Sequence, residues 1–147
     1  GKSPDPSFIL GFTSNFNYKS LDFSFTLRSH IGNYVYNNVS SSFGYLERLN
    51  GTIPYNIHTS AFETLFGERQ LKSDYYIENA SFIKLDNITV GYTFNQLSWS
   101  NIRLYITGQN LLTVTGYSGI DPEVPNGIDN NLYPRSATFI SGVRLTF

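Results

Sequence analysis

Hydrophobic and polar residues alternate with a period of two through three stretches of the chain. Phe8, Leu10, Phe12, Phe16 and Tyr18 share one parity, and Gly11, Thr13, Asn15 and Asn17 occupy the other. After Lys19-Ser20 the pattern resumes as Leu21, Phe23, Phe25, Leu27 and Ile31 against Asp22, Ser24, Thr26, Arg28 and His30. The end of the chain repeats it, with Phe139, Val143, Leu145 and Phe147 against Gly142, Arg144 and Thr146. Successive side chains of a strand point to opposite faces, so each stretch presents one aromatic, apolar face and one wet face. Alternation sustained over about ten residues is the pattern of an outer-membrane barrel strand. A strand of a soluble sandwich can carry it too.

Five strands follow from this reading, over 7–18, 21–36, 80–94, 101–112 and 137–147. The third changes phase, because Ile83 and Leu85 have the opposite parity to Ile88, Val90, Tyr92 and Phe94. A bulge near Asp86-Asn87 repairs that slip. Residues 19–20 and 95–101 are short connections, whereas 37–79 and 113–136 are long loops. Within the first long loop, 61–66 has the makings of a short helix. Residues 1–6, rich in Pro and polar groups, read as a disordered tail or an expression-vector remnant ahead of a single segment over 7–147. Short and long connections alternate, as in barrels with tight periplasmic turns and long extracellular loops. The expected fold is therefore all-β: an antiparallel meander of about five strands, the C-terminal part of a transmembrane β-barrel with two long extracellular loops. Five strands cannot close, since the smallest single-chain membrane barrels have about eight. Taken alone, such a piece exposes two sheet edges and an apolar face, and is expected to self-associate.

Composition sharpens the picture. Of 147 residues, 12 are Phe and 11 Tyr, while charged residues make up only 14%. About 25% is usual, which fits a surface that partly avoids water. A net charge of −1 gives no case for nucleic acid. With no Cys, disulfides and thiolate metal sites are excluded. No run approaches the ~18 apolar residues of a spanning helix.

Three blocks then carry a resemblance. The stretch Asp74 to Phe94, reading DYYIENASFIKLDNITVGYTF, is followed by Arg103 to Thr113, RLYITGQNLLT, and Tyr117 to Val124, YSGIDPEV. Together with Tyr133-Pro134 and the final Phe, their order and spacing resemble the end of SusC/RagA-type TonB-linked outer-membrane transporters. The resemblance covers nearly the whole chain, although 37–74 aligns little beyond Gly32, Tyr36 and Asn37. It implies a barrel of about 22 strands with an N-terminal plug, energised through TonB and capped by a SusD-like lipoprotein. It further implies a Bacteroidetes outer membrane as location, outer-membrane lipid and the barrel-assembly machinery as partners, and an oligosaccharide or peptide as cargo.

Candidate chemistry is sparse. Asp121 and Glu123 could ligate a hard cation through oxygen, but their spacing is not that of a calcium loop. A turn around Pro122 with carboxylates capping loop amides is the better account of them. His30 lies on the wet face of the second strand and His58 in a loop, neither with a second ligand at metal spacing. Tyr55, Tyr75, Tyr76, Tyr117 and Tyr133 sit in the outer loops, where aromatic rings could stack on a sugar or a peptide side chain, or simply pack the loops. Trp99, in the short connection, suits an interfacial aromatic girdle. Gly142, Leu145 and Phe147 match the pattern of a Gly, an apolar residue and a final aromatic that marks barrel proteins for assembly. Ile140 stands where that pattern wants a polar residue, and a plain edge strand ending in Phe is the alternative.

Two functions compete. One is part of a TonB-dependent outer-membrane importer of glycans or other nutrients, supplying closing strands and outer loops. The other is a soluble β-rich carbohydrate- or protein-binding module using the same aromatics. An enzyme is not expected, because there is no nucleophile–base pair, metal cluster or cofactor fingerprint.

Overall fold

The computed structural model describes residues 1–50, 53, 55–97, 100–130 and 132–146. In chain order the strands are β1 (Phe8–Tyr18), β2 (Leu21–Ile31), β3 (Tyr34–Asn37), β4 (Ile77–Asn79), β5 (Phe82–Leu97), β6 (Ser100–Thr115), β7 (Ile128–Asp129) and β8 (Thr138–Thr146). Two short helices, α1 (Asn38–Phe43) and α2 (Ser60–Thr64), lie between β3 and β4. The chain divides into two compact units, a strand unit and a loop unit.

The strand unit holds Phe8–His30, Phe82–Val114 and Arg135–Phe147. Its five strands form one open antiparallel meander in the order β1-β2-β5-β6-β8. Lys19 turns the β1–β2 hairpin in the left-handed region, at φ 55. Tight two-residue hairpins need such a positive φ. Register follows the apolar parity: Phe23 pairs Val90, Phe25 pairs Ile88, and Leu104 pairs Val143. Rings stack along this face, with Phe12 5.9 Å from Phe25 and Phe16 6.2 Å from Phe23. Between Thr26↔Asn87 and Leu27↔Leu85 the register slips by one residue, leaving Asp86 as the extra residue. The bulge aims Asp86 at Arg28, whose Nε donates to its Oδ2 at 2.9 Å. β5 and β6 reach 16 residues each, more than the 9–11 or so that cross a bilayer. They run past the expected ends at 94 and 112, and the expected connection at 95–101 narrows accordingly. Trp99 and Phe147 lie outside the described residues.

On the wet face, Asp22 of β2 and Arg103 of β6 reach over β5 to each other, the Arg103 Nε donating to Oδ1 at 2.8 Å. Gly91 makes this possible. A Cβ built there would stand 2.5 Å from the Arg103 guanidinium and from the Asp22 carboxylate. Gly91→Ala should therefore part the pair and cost about 1 kcal/mol, the upper end for a partly exposed ion pair. In an Arg103→Ala background the same change should cost close to nothing. A double-mutant cycle on unfolding of the full-length protein in detergent checks this, and equal costs in both backgrounds would refute the bridge.

The loop unit holds Gly1–Ser7, Ile31–Ser81 and Thr115–Pro134. It corrects the sequence reading in two places. First, 21–36 is not one strand. Gly32 breaks it at φ 85, where a Cβ would meet the Ser7 Oγ at 2.7 Å. β3 beyond it joins a second sheet of order β4-β3-β7, antiparallel to β4 and parallel to β7. Second, residues 1–6 are not a disordered tail. The Ser3 carbonyl accepts the Tyr34 amide at 2.8 Å, and the Ser7 amide donates to Ile31 at 2.8 Å. The small core consists of Val35, Ala80 and Tyr117, with Val124 packed against it.

Candidate functional site

The loop unit is organised around Asn37. Its Oδ1 accepts the Ser40 amide at 2.9 Å, capping α1. Asn is a favoured cap because its short side-chain oxygen reaches the orphan amides of a first turn. The Asn37 Nδ2 donates to Glu78 Oε1 at 2.9 Å and to Ser118 Oγ at 3.0 Å. Ser118 in turn donates its amide to Glu78 Oε2 at 2.9 Å and its hydroxyl to Oε1 at 2.8 Å. Both oxygens of Glu78 are thus satisfied by neutral donors, and three distant loop segments are tied together. At 1% exposed, Asn37 makes these bonds out of water, where they are strongest.

Beside this knot opens a cleft of about 560 Å³ lined by Ser40, His58, Ser60, Glu63, Tyr75, Tyr76, Glu78 and Ser118 among others. Tyr75 and Tyr76 meet edge to face at 5.2 Å, and Phe66 meets Tyr75 at 5.5 Å. Tyr75 remains exposed and Tyr76 is buried. Burial, and then the neighbouring Tyr75 and Tyr36, push the Tyr76 phenol above its ordinary range. The Ser60 amide donates to His58 Nδ1 at 3.3 Å, and the Ser60 hydroxyl lies 2.9 Å from the same nitrogen. Nδ1 is therefore an acceptor, and the ring proton sits on Nε2. A second hollow of about 440 Å³ shares His58 and is lined by Val39, Phe43, Arg48 and Tyr55. There the Arg48 guanidinium lies 4.8 Å from the Phe43 ring and 5.3 Å from that of Tyr55.

The structure thus separates the five loop tyrosines. Tyr75 and Tyr76 share the cleft, and Tyr55 lines the second hollow against Arg48. Tyr133 stands in solvent, 92% exposed. Tyr117 is drawn into the core instead, its hydroxyl donating to Asp129 Oδ2 at 2.7 Å. Burial first, and then that hydrogen bond, hold its phenol far above the ordinary tyrosine range. Asp121 Oδ1 accepts the Glu123 amide at 2.9 Å, a carboxylate capping its own turn. Among the described residues no three His, Asp or Glu side chains gather as a metal site. His30, on the wet face of β2, stacks on Phe82 at 4.8 Å.

No protein-family model matches the chain. The TonB-dependent receptor SusC of Bacteroides thetaiotaomicron is 41% identical over 157 aligned residues, which take in 99% of this chain and 16% of SusC. TonB-dependent receptor P3 of Formosa agariphila is 28% identical over 98% of this chain and 17% of its own length. Among solved structures, the RagAB peptide transporter superposes with a TM-score of 0.80 at 27% identity, over 99% of this chain and 18% of that one. The RagAB peptide importer in its open-open state gives 0.75 at 26% identity, with the same coverage. The chain belongs to the SusC/RagA-type TonB-dependent receptors. It spans about a sixth of the length of the curated relatives it matches. These relatives are receptors and importers rather than enzymes.

Membership in the SusC/RagA-type family accounts for the open sheet, since five strands are a sector of a larger barrel wall. Sequence reading missed Asn37, Glu78 and Ser118 as the organising knot. One local signal was available: Asn is a favoured residue at a helix start, and Asn37 stands at one. Nothing local joined Glu63 and His58 to this cleft, because other residues that line it come from distant parts of the chain.

Proposed function

We propose that this chain is part of a TonB-dependent outer-membrane importer, supplying strands of the barrel wall near its C-terminal end and two segments of its outer loops. The observation that carries the reading is the asymmetry of the sheet. Its apolar face leaves Phe12, Val90, Tyr92, Ile106 and Val143 exposed in one continuous surface. The opposite face is crossed by the Asp22–Arg103 and Arg28–Asp86 ion pairs and by the Thr89–Thr107 hydroxyl contact at 2.8 Å. A soluble module would have to cover that apolar face, whereas lipid covers it in a barrel. TonB, a SusD-like lipoprotein and a peptide or oligosaccharide cargo complete the assembly, as the likeness to SusC and RagAB supports. Gly142 and Leu145 on β8 serve the assembly machinery together with Phe147. Leu145 lies on the apolar face opposite Ile102.

Cysteine labelling tests the topology cleanly, because the chain has no Cys of its own. In a full-length receptor freed of other cysteines, Tyr133→Cys should react with an impermeant maleimide on intact cells. Lys19→Cys should react only once the outer membrane is permeabilised. The reverse pattern would overturn the orientation, and substrate uptake that persists without TonB would overturn the transport mechanism.

A further inference from the structure

The chemistry lining the 560 Å³ cleft is one-sided in charge. Glu63 and Glu78 both contribute to its wall, and among the described residues no Lys or Arg does. Among the described residues neither carboxylate pairs with a cation. Glu78 is held by Asn37 and Ser118, neutral donors that fix the carboxylate and leave its charge in place. Glu63 stands in the first turn of α2, its side chain free of hydrogen bonds among the described residues. Tyr76 adds an independent sign of a ligand. It is 3% exposed, yet its hydroxyl makes no hydrogen bond among the described residues. With no protein partner, a hydroxyl at the wall of the cleft is open to bond whatever enters. The exposed ring of Tyr75 beside it offers a π face, which attracts cations.

We propose that this cleft receives a positively charged amine or guanidinium group of the cargo, and so makes the outer loops selective for cationic over neutral or acidic substrates. This rests on the importer reading given above. In the bound arrangement Glu63 and Glu78 supply the counter-charge and the Tyr75 ring takes the apolar flank of the ligand. The Tyr76 oxygen accepts an N–H. His58 Nε2–H, a donor, is suited to a neighbouring carbonyl or hydroxyl of the same ligand. Two kinds of nutrient carry the required charge, a peptide with Lys or Arg and an oligosaccharide of unacetylated amino sugars.

The test is calorimetry on the full-length receptor with matched pairs of probes. One pair is a lysine-containing tripeptide and its Nε-acetyl form, and the other is a glucosamine trimer and its N-acetylated form. The charged member of at least one pair should bind about tenfold or more tighter than its acetylated twin, and which pair shows this identifies the source. Glu63→Gln should erase most of that preference while leaving the acetylated probe unchanged. Tyr76→Phe, which keeps the ring packing, should weaken the charged probe a few-fold. Equal binding of charged and acetylated forms, a Glu63→Gln effect shared by both, or no binding of any charged probe overturns the cleft assignment. TonB-dependent uptake by the wild-type receptor, measured in parallel, tests the importer reading separately.

Discussion

Phe25→Arg should lower the amount of folded full-length receptor at the cell surface far more than Ser24→Arg, its neighbour on the other face. Phe25 lies midway along β2, opposite Ile88, with its ring against those of Phe12 and Phe23. If this face meets lipid, an arginine there sits near the bilayer midplane, where it costs about 2–4 kcal/mol. Ser24 points to the wet face beside Asp22 and opposite Thr89, where an added cation stays hydrated. Depth supplies an internal control. Leu21 has the same parity as Phe25 but adjoins the hairpin turn, so Leu21→Arg should cost only about 0–1 kcal/mol. Quantitative surface labelling, normalised to expression, reads the series. Phe25→Ala separates the lost ring from the added charge. Equal losses at 24 and 25 would remove the case for a lipid-facing surface.

What could be read from sequence divides along the two units. The strand unit was legible because its period-two pattern is enforced at every residue by two different solvents. The pairing of Phe25 with Ile88 and the bulge at Asp86 both follow from keeping apolar residues on one face. Ends of strands were less legible. β6 continues to Thr115 although Asn110, at φ 53, interrupts the regular backbone. The loop unit was opaque because its stability comes from side-chain hydrogen bonds between residues far apart in sequence. Asn37, Glu78 and Ser118 bond one another across separations of 41 and 81 residues. No local propensity encodes such a meeting. The same holds for the split at Gly32, where Val35 keeps the odd apolar parity of Leu21 to Ile31 although the strand has changed sheets. Tyr117 illustrates the limit best: a loop tyrosine in a Gly-rich turn looks available to a ligand, and only the tertiary fold shows its ring in the core.

Tyr117→Ala should be the most damaging single change in the loop unit. The side chain is 6% exposed and packs with Val35 and Ala80. Truncating a buried aromatic ring costs about 3–5 kcal/mol through lost contacts and the cavity left behind. The core here is small, so few neighbours can collapse into the space. Tyr117→Phe separates the hydroxyl from the ring. It removes the donor to Asp129 Oδ2, leaving a carboxylate that is only 3% exposed short of one partner. That loss should cost about 1–3 kcal/mol. Asp129 lies on β7, which pairs with Asn37 of β3, and its Oδ1 also accepts the Leu132 amide at 3.3 Å. Hydrogen exchange on the full-length receptor should therefore show β3 and β7 losing protection in Tyr117→Ala, and losing part of it in Tyr117→Phe. Protection in β1 and β2, whose pairing involves none of these residues, should hold. Of the cleft residues, Glu78 lies on β4, the other partner of β3, and Tyr76 immediately precedes it, so the charge preference of the cleft should weaken in the same order. Unchanged protection of β3 in Tyr117→Ala would mean that the Asn37 knot, rather than the aromatic core, holds the loops together.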